Sequence, residues 1–227
     1  MIRLKNVIFE SNGKLILNNI SYTFFPNHIY VIFGKSGIGK STLLKAIVNL
    51  INYKGDIFFD DVNSLSIPPQ ILRTNIIYIH QEPLLFGERV IDDINLVYNL
   101  KVNRNKKFDK DAYISFLKQF GYDESFLNKK INELSGGQKQ IAAILKAMTL
   151  KPRFLMLDEP TSALDVESEQ VLLRILQNLK TNMGLILISH SLNVIKDCDK
   201  QILFSKEGTL KVFEKMDENE IKKVLNE

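Results

Sequence analysis

Apolar positions along this chain switch repeatedly between two periods. Up to residue 33 they alternate, with Ile2 and Leu4, Val7 and Phe9, then "KLILNNISYTFF" after Asn12-Gly13, which predicts strands joined by a hairpin. "HIYVIF" is short and almost wholly apolar, the pattern of a strand buried on both faces. Helical spacing follows, with Leu43, Leu44, Ile47 and Leu50 on one stripe. "GDIFFDDVNSL" predicts an edge hairpin and "NIIYIHQ" another buried strand.

From about Phe86 to Glu133 the β-branched runs thin out. "NRNKKFDKD" reads as a charged loop or helix start, and "AYISFLKQFG" has helical spacing ended by Gly121. This segment is expected to be a mostly helical insertion within one domain spanning 1–227. Beyond it "AAILKAMTL" predicts a helix, "FLMLD" a strand, "SEQVLLRILQNLK" a helix and "GLILIS" a strand. A hairpin around Glu207-Gly208 and a short helix carrying Ile221 and Leu225 close the pattern. The alternation predicts an α/β fold, a mostly parallel sheet with helices on its faces.

Composition narrows the function without naming it. With 227 residues and a hydrophobic fraction of 45%, the chain can bury a sizeable core. Lys and Arg number 30 against 26 Asp and Glu, a net charge of +4, too balanced to argue for a nucleic-acid partner. Cys198 is the single cysteine, so no disulfide framework exists within the chain and a reducing compartment is expected. "MIRLKNVIFE" lacks the apolar core of an export signal, and no apolar run nears the roughly 18 residues that cross a bilayer.

Candidate chemistry begins at "GKSGIGKST", Gly34 to Thr42, between a buried strand and a helix. Gly34, Gly39, Lys40 and Ser41 fill the pattern of a phosphate-binding loop. Glycines let the backbone of Lys35, Ser36, Gly37 and Ile38 curl so that its N–H groups point inward, and the helix start adds positive potential. Lys40 can then reach the β and γ phosphates of ATP, the Ser41 hydroxyl can ligate Mg²⁺, and Thr42 stands beside the α phosphate. "FLMLDEP" ends an apolar strand in Asp158, a candidate Mg²⁺ ligand, followed by Glu159, a candidate general base. Gln81 and His190 end apolar strands in the same way: the amide can touch Mg²⁺ and orient water, the imidazole can donate to a phosphate. Taken singly, each motif also fits a structural role as a turn, cap or surface residue.

The most specific string is "LSGGQKQ", Leu134 to Gln140. With it the chain closely resembles the ATP-binding cassette family, the nucleotide-binding subunits of ABC transporters. The resemblance covers essentially the whole chain and keeps motif order: the loop at Gly34 to Ser41, Gln81, Ser135 to Gln138, Asp158-Glu159, "SALD" at Ser162 to Asp165, and His190. It implies a P-loop NTPase core with an N-terminal antiparallel β subdomain and an inserted helical subdomain. It also implies an ATPase that uses ATP and Mg²⁺ as a head-to-tail dimer, in which Ser135, Gly136, Gly137 and Gln138 of one cassette complete the other's nucleotide site. Glu159, His190, Gln81 and Lys40 would be catalytic, and Asp165 would help join the two sites. The helical insertion and Gln81 to Gly87, with apolar Leu84, Leu85 and Phe86, would contact a separate membrane permease. The ATPase would then sit in the cytoplasm on the inner face of the membrane, touching neither nucleic acid nor the transported solute.

Within the family, "QEPLLFGERVIDDI" and the compact length look most like the stand-alone ATPase of an iron-export system. Ser11 stands where relatives carry an adenine-stacking aromatic, with Phe9 two positions away. Ile141 and Lys146 replace arginines common in the family. A soluble regulatory ATPase, or a module that binds ATP without transport, is the alternative reading. Long coiled coils of the chromosome-associated relatives have no counterpart, because no heptads fill the interval before Leu134.

Overall fold

The computed structural model describes residues 1–226. In chain order its elements are β1 (Ile2–Ser11), β2 (Lys14–Phe24), β3 (Ile29–Phe33), α1 (Lys40–Ile47), β4 (Lys54–Phe59), β5 (Val62–Asn63), α2 (Pro69–Asn75) and β6 (Ile76–Ile79). Then come α3 (Val90–Tyr98), α4 (Lys110–Gln119), α5 (Gly136–Thr149), β7 (Phe154–Asp158), α6 (Val166–Leu179), β8 (Gly184–Ile188), α7 (Leu192–Lys196), β9 (Lys200–Phe204), β10 (Leu210–Phe213) and α8 (Glu218–Asn226).

Two sheets form. The antiparallel one has the order β2-β1-β4-β5, and the other runs β10-β9-β3-β8-β7-β6. In the second sheet β9, β3, β8, β7 and β6 pair in parallel, and only the β9–β10 hairpin is antiparallel. The fold is therefore the α/β class expected, with its antiparallel N-terminal sheet.

Strand periodicity divides the core in two. Val31 and Phe33 of β3, Leu155 and Leu157 of β7, and Leu185 and Leu187 of β8 face α5, α6 and the helices of the insertion. Their neighbours Tyr30, Ile32, Phe154, Met156, Ile186 and Ile188 face α1 and the antiparallel sheet. Successive residues of a strand point to opposite faces, so a strand covered on both sides must be apolar throughout, as β3, β7 and β8 are apart from the terminal Asp158.

One local expectation changes, and one helix adds to the pattern. The α1 stripe stops at Ile47 and does not include Leu50, which is 45% exposed. Asn49 adopts a left-handed backbone (φ 53°) directly after the cap and turns the chain outward. Helix α2 carried no clear periodic signal; Pro69 at its first position is pre-set for helix, and only Leu72 in it is buried.

Between β6 and β7 the chain runs through α3, α4 and α5 with short 3-10 turns. Asp93 of α3, 2% exposed, fastens this segment. One of its oxygens accepts from the Phe86 N–H at 2.9 Å and the other pairs with the Lys146 ammonium on α5. Removing one partner of a buried ion pair strands the other's charge. Asp93→Ala should therefore lower unfolding free energy by about 3–5 kcal/mol in urea denaturation, and the double change D93L/K146M should recover most of that loss.

Candidate active site at the carboxyl edge of the parallel sheet

β3, β6, β7 and β8 are parallel, so all four end at one edge, and the candidate residues lie just beyond those ends. After β3 the chain enters the glycine loop. Gly34 has φ 144° and a Cβ there would lie 2.5 Å from the Phe204 carbonyl; Gly39, at φ 121°, would meet Ile16 Cγ2 at 2.5 Å. Only glycine fits both the backbone and the space at these two points.

Lys40 opens α1 and is 5% exposed. Its ammonium donates to the carbonyls of Gly34 at 2.8 Å and Lys35 at 2.6 Å, spanning its own loop. Burial lowers its pKa, and the carboxylates of Glu159 and Asp158 oppose that shift. A phosphate arriving at the loop would exchange neutral carbonyl acceptors for charged ones, a stronger class of hydrogen bond.

Asp158, at the end of β7, is 5% exposed, and its Oδ2 accepts from the Tyr78 hydroxyl at 2.8 Å. Desolvation first and the Asp158 charge second raise the Tyr78 pKa far above the ordinary range, so the phenol remains a donor. Glu159 follows in a left-handed conformation, φ 48°, uncommon for a residue with a side chain. The strain is held by its N–H donating to the Ile188 carbonyl at 2.9 Å and by its carbonyl accepting from the Ser162 hydroxyl at 3.0 Å. That backbone turn swings the Glu159 carboxylate between two neighbours: Gln81 Nε2 donates to Oε2 at 3.0 Å, and His190 Nε2 lies 3.4 Å from Oε1.

Ser41, Gln81 and Asp158 line one wall of a cleft of about 960 Å³. Each can offer a neutral or anionic oxygen, the donor chemistry a hard ion such as Mg²⁺ requires, so these residues fit that ion. The cleft continues away from this edge under the inserted helices, past Ile77, Leu84, Phe86, Leu100 and Ala147. Leu84 is 77% exposed and Phe86 56% exposed, while Leu85 packs inward.

The structure thus brings Lys40, Gln81, Asp158, Glu159 and His190 to one edge. Ser135, Gly136, Gly137 and Gln138 share no hydrogen bond with those five among the described residues. Ser135 instead caps α5, its Oγ accepting from the Gln138 N–H and the Gln138 Oε1 accepting from the Ser135 N–H, each at 3.2 Å. Gly137 lies so close to the 161–164 turn that a Cβ would stand 2.6 Å from the Ala163 carbonyl. Asp165 caps α6 by accepting from the Ser168 N–H at 2.7 Å. Ser11 is exposed at the β1–β2 turn, and Phe9 is half-buried against the core cluster of the antiparallel sheet. Tyr78 escaped the sequence reading, because a tyrosine inside an apolar strand reads as core.

Comparison with known proteins shows the family and the fold. The family described as "ABC transporter" matches residues 17–162. The chain is 34% identical over 205 residues to the probable iron export ATP-binding protein FetA of Escherichia coli K12, covering 89% of this chain and 90% of that protein. It is also 34% identical over 214 residues to the spermidine/putrescine import ATP-binding protein PotA of Mycoplasma capricolum, of which it spans 60%. Among solved structures, a dimeric post-hydrolysis state of the ATP-binding cassette MJ0796 bound to ADP and Pi superposes with a TM-score of 0.79. That match has 25% identity and covers 96% of this chain and all of the other.

Burial is the largest cause lowering the His190 pKa, the Lys40 charge lowers it further, and Glu159 acts in the opposite sense. His190 should therefore stay neutral to a lower pH than the ordinary value of 6.5, with the midpoint of its imidazole NMR titration displaced downward. A midpoint at or above 6.5 would mean that the Glu159 carboxylate outweighs burial.

Proposed function

The chain belongs to the ABC transporter family of ATP-hydrolysing cassettes, and from that premise we propose that it is the ATPase subunit of a transporter whose permease is a separate chain. The observation that carries the proposal is the carboxylate of Glu159, held beside Gln81 and His190 at the sheet edge from which the glycine loop also starts. A base must sit within reach of the water it activates, and the left-handed turn at Glu159 holds its carboxylate between Gln81 and His190, near enough to Lys40 for the two charges to interact.

In this reading the backbone from Gly34 to Ser41 wraps the phosphates, Lys40 leaves its loop carbonyls to bind the β and γ phosphates, and Thr42 meets the α phosphate. Ser41, Asp158 and Gln81 would hold Mg²⁺, which would supply positive charge against the phosphates. Glu159 takes a proton from water, Gln81 orients that water, and neutral His190 donates to the γ phosphate. Ser135, Gly136, Gly137 and Gln138 serve the nucleotide of a second copy; their position at the start of α5, a helix of 14 residues, supports this, since a helix N-terminus offers N–H donors to an anion.

Residues 86–150 act as a helical subdomain, and exposed Leu84 and Phe86 at the cleft mouth meet the permease. No helix among the described residues is long and apolar enough to cross a membrane. The subunit is therefore proposed to sit at the cytoplasmic face of the membrane, held there by its permease and touching neither nucleic acid nor solute. The likeness to an iron-export ATPase makes a metal-ion exporter the first system to test.

Glu159→Gln should reduce ATP turnover by at least about 100-fold while leaving ATP-stabilised dimers, measured by phosphate release and light scattering. An unchanged rate would remove Glu159 from the role of base. Lys40→Ala should abolish nucleotide binding in equilibrium titration.

A further inference from the structure

Tyr78 has no part in the reading above beyond its hydrogen bond, and its position in the sheet explains why it makes that bond. In the parallel pairing of β6 with β7, Tyr78 stands opposite Met156 and Ile79 opposite Leu157. Side chains two apart on a strand share a face, so Tyr78 and Asp158 lie on the same face as diagonal neighbours on adjacent strands. A phenol is long enough to cover that diagonal, and its hydroxyl reaches Asp158 Oδ2 at 2.8 Å. The ring packs against His80 with centroids 4.3 Å apart and lines the same cleft as Ser41 and Gln81.

We propose that Tyr78 is a positioning residue for the metal-side carboxylate: by holding Oδ2 it fixes the rotation of Asp158 and presents Oδ1 toward Ser41. A carboxylate turns easily about its last torsion, whose profile is broad and two-fold. Asp158 sits at the end of a buried strand, and an anchor on one oxygen makes the other available in one orientation. Partners that orient a ligating carboxylate commonly carry about 10–100-fold of metal affinity. The inference rests on the assignment of Asp158 to Mg²⁺.

The test separates the two. Binding of a fluorescent ATP analogue is titrated with Mg²⁺, and in EDTA, for the parent, Tyr78→Phe, Asp158→Asn and the double variant. Y78F should bind the analogue in EDTA as the parent does, and it should unfold at a lower temperature because the buried Asp158 carboxylate loses a donor, yet it should need roughly tenfold more Mg²⁺ for the metal-linked gain in affinity. D158N should lose that gain, and Y78F should add nothing on the D158N background, because no carboxylate remains to be held. Tyr78→Met carries the same test on a second apolar side chain. An unmoved Mg²⁺ midpoint in Y78F, or an equal loss of affinity in EDTA, overturns the role of Tyr78. A D158N variant with the parent's Mg²⁺ response overturns the metal assignment itself.

Discussion

Two adjacent carboxylates at the end of a buried strand constrain everything around them. Charge removed from water must find hydrogen-bond donors or opposite charge nearby, or it will not remain ionised. Asp158, almost wholly buried, is answered by the Tyr78 hydroxyl, and Glu159 by the Gln81 amide and the His190 ring. Those answers come from β6 and from the segments following β6 and β8, the strands on either side of β7. The parallel sheet is thus what makes the site possible: it ends its neighbouring strands at one edge and brings their exit residues within hydrogen-bond reach of one another.

Much of this was legible because the chain announces its buried strands. "IYVIF", "FLMLD" and "GLILI" are apolar at every position until the polar exit, a pattern produced by burial on two faces. The glycine loop was equally open to reading, since positive φ and close approach leave few other residues for those places. What stayed hidden depends on register. Tyr78 looks like any aromatic of a core strand until the pairing of β6 with β7 sets it diagonally from Asp158. Asp93 looks like a solvated helix residue until the nearby Phe86 N–H and the Lys146 ammonium, from α5 far along the chain, close over it. Lys146 supplies the charge needed for that pair.

The loop from Gln81 to Phe86 is fastened at its two ends to different bodies. Gln81 bonds Glu159 at the end of β7, and the Phe86 N–H bonds Asp93, which is itself paired with Lys146 of α5. Leu84 stands exposed between them. A loop this short, held at both ends, has little slack, so displacing its apolar middle must load one anchor or the other. The anchors differ in strength: the Asp93 end is buried and charge-paired, whereas Gln81 is exposed and contributes a neutral amide donor. The weaker hold is thus the one beside Glu159, and the stronger is the one that ties the loop to the insertion.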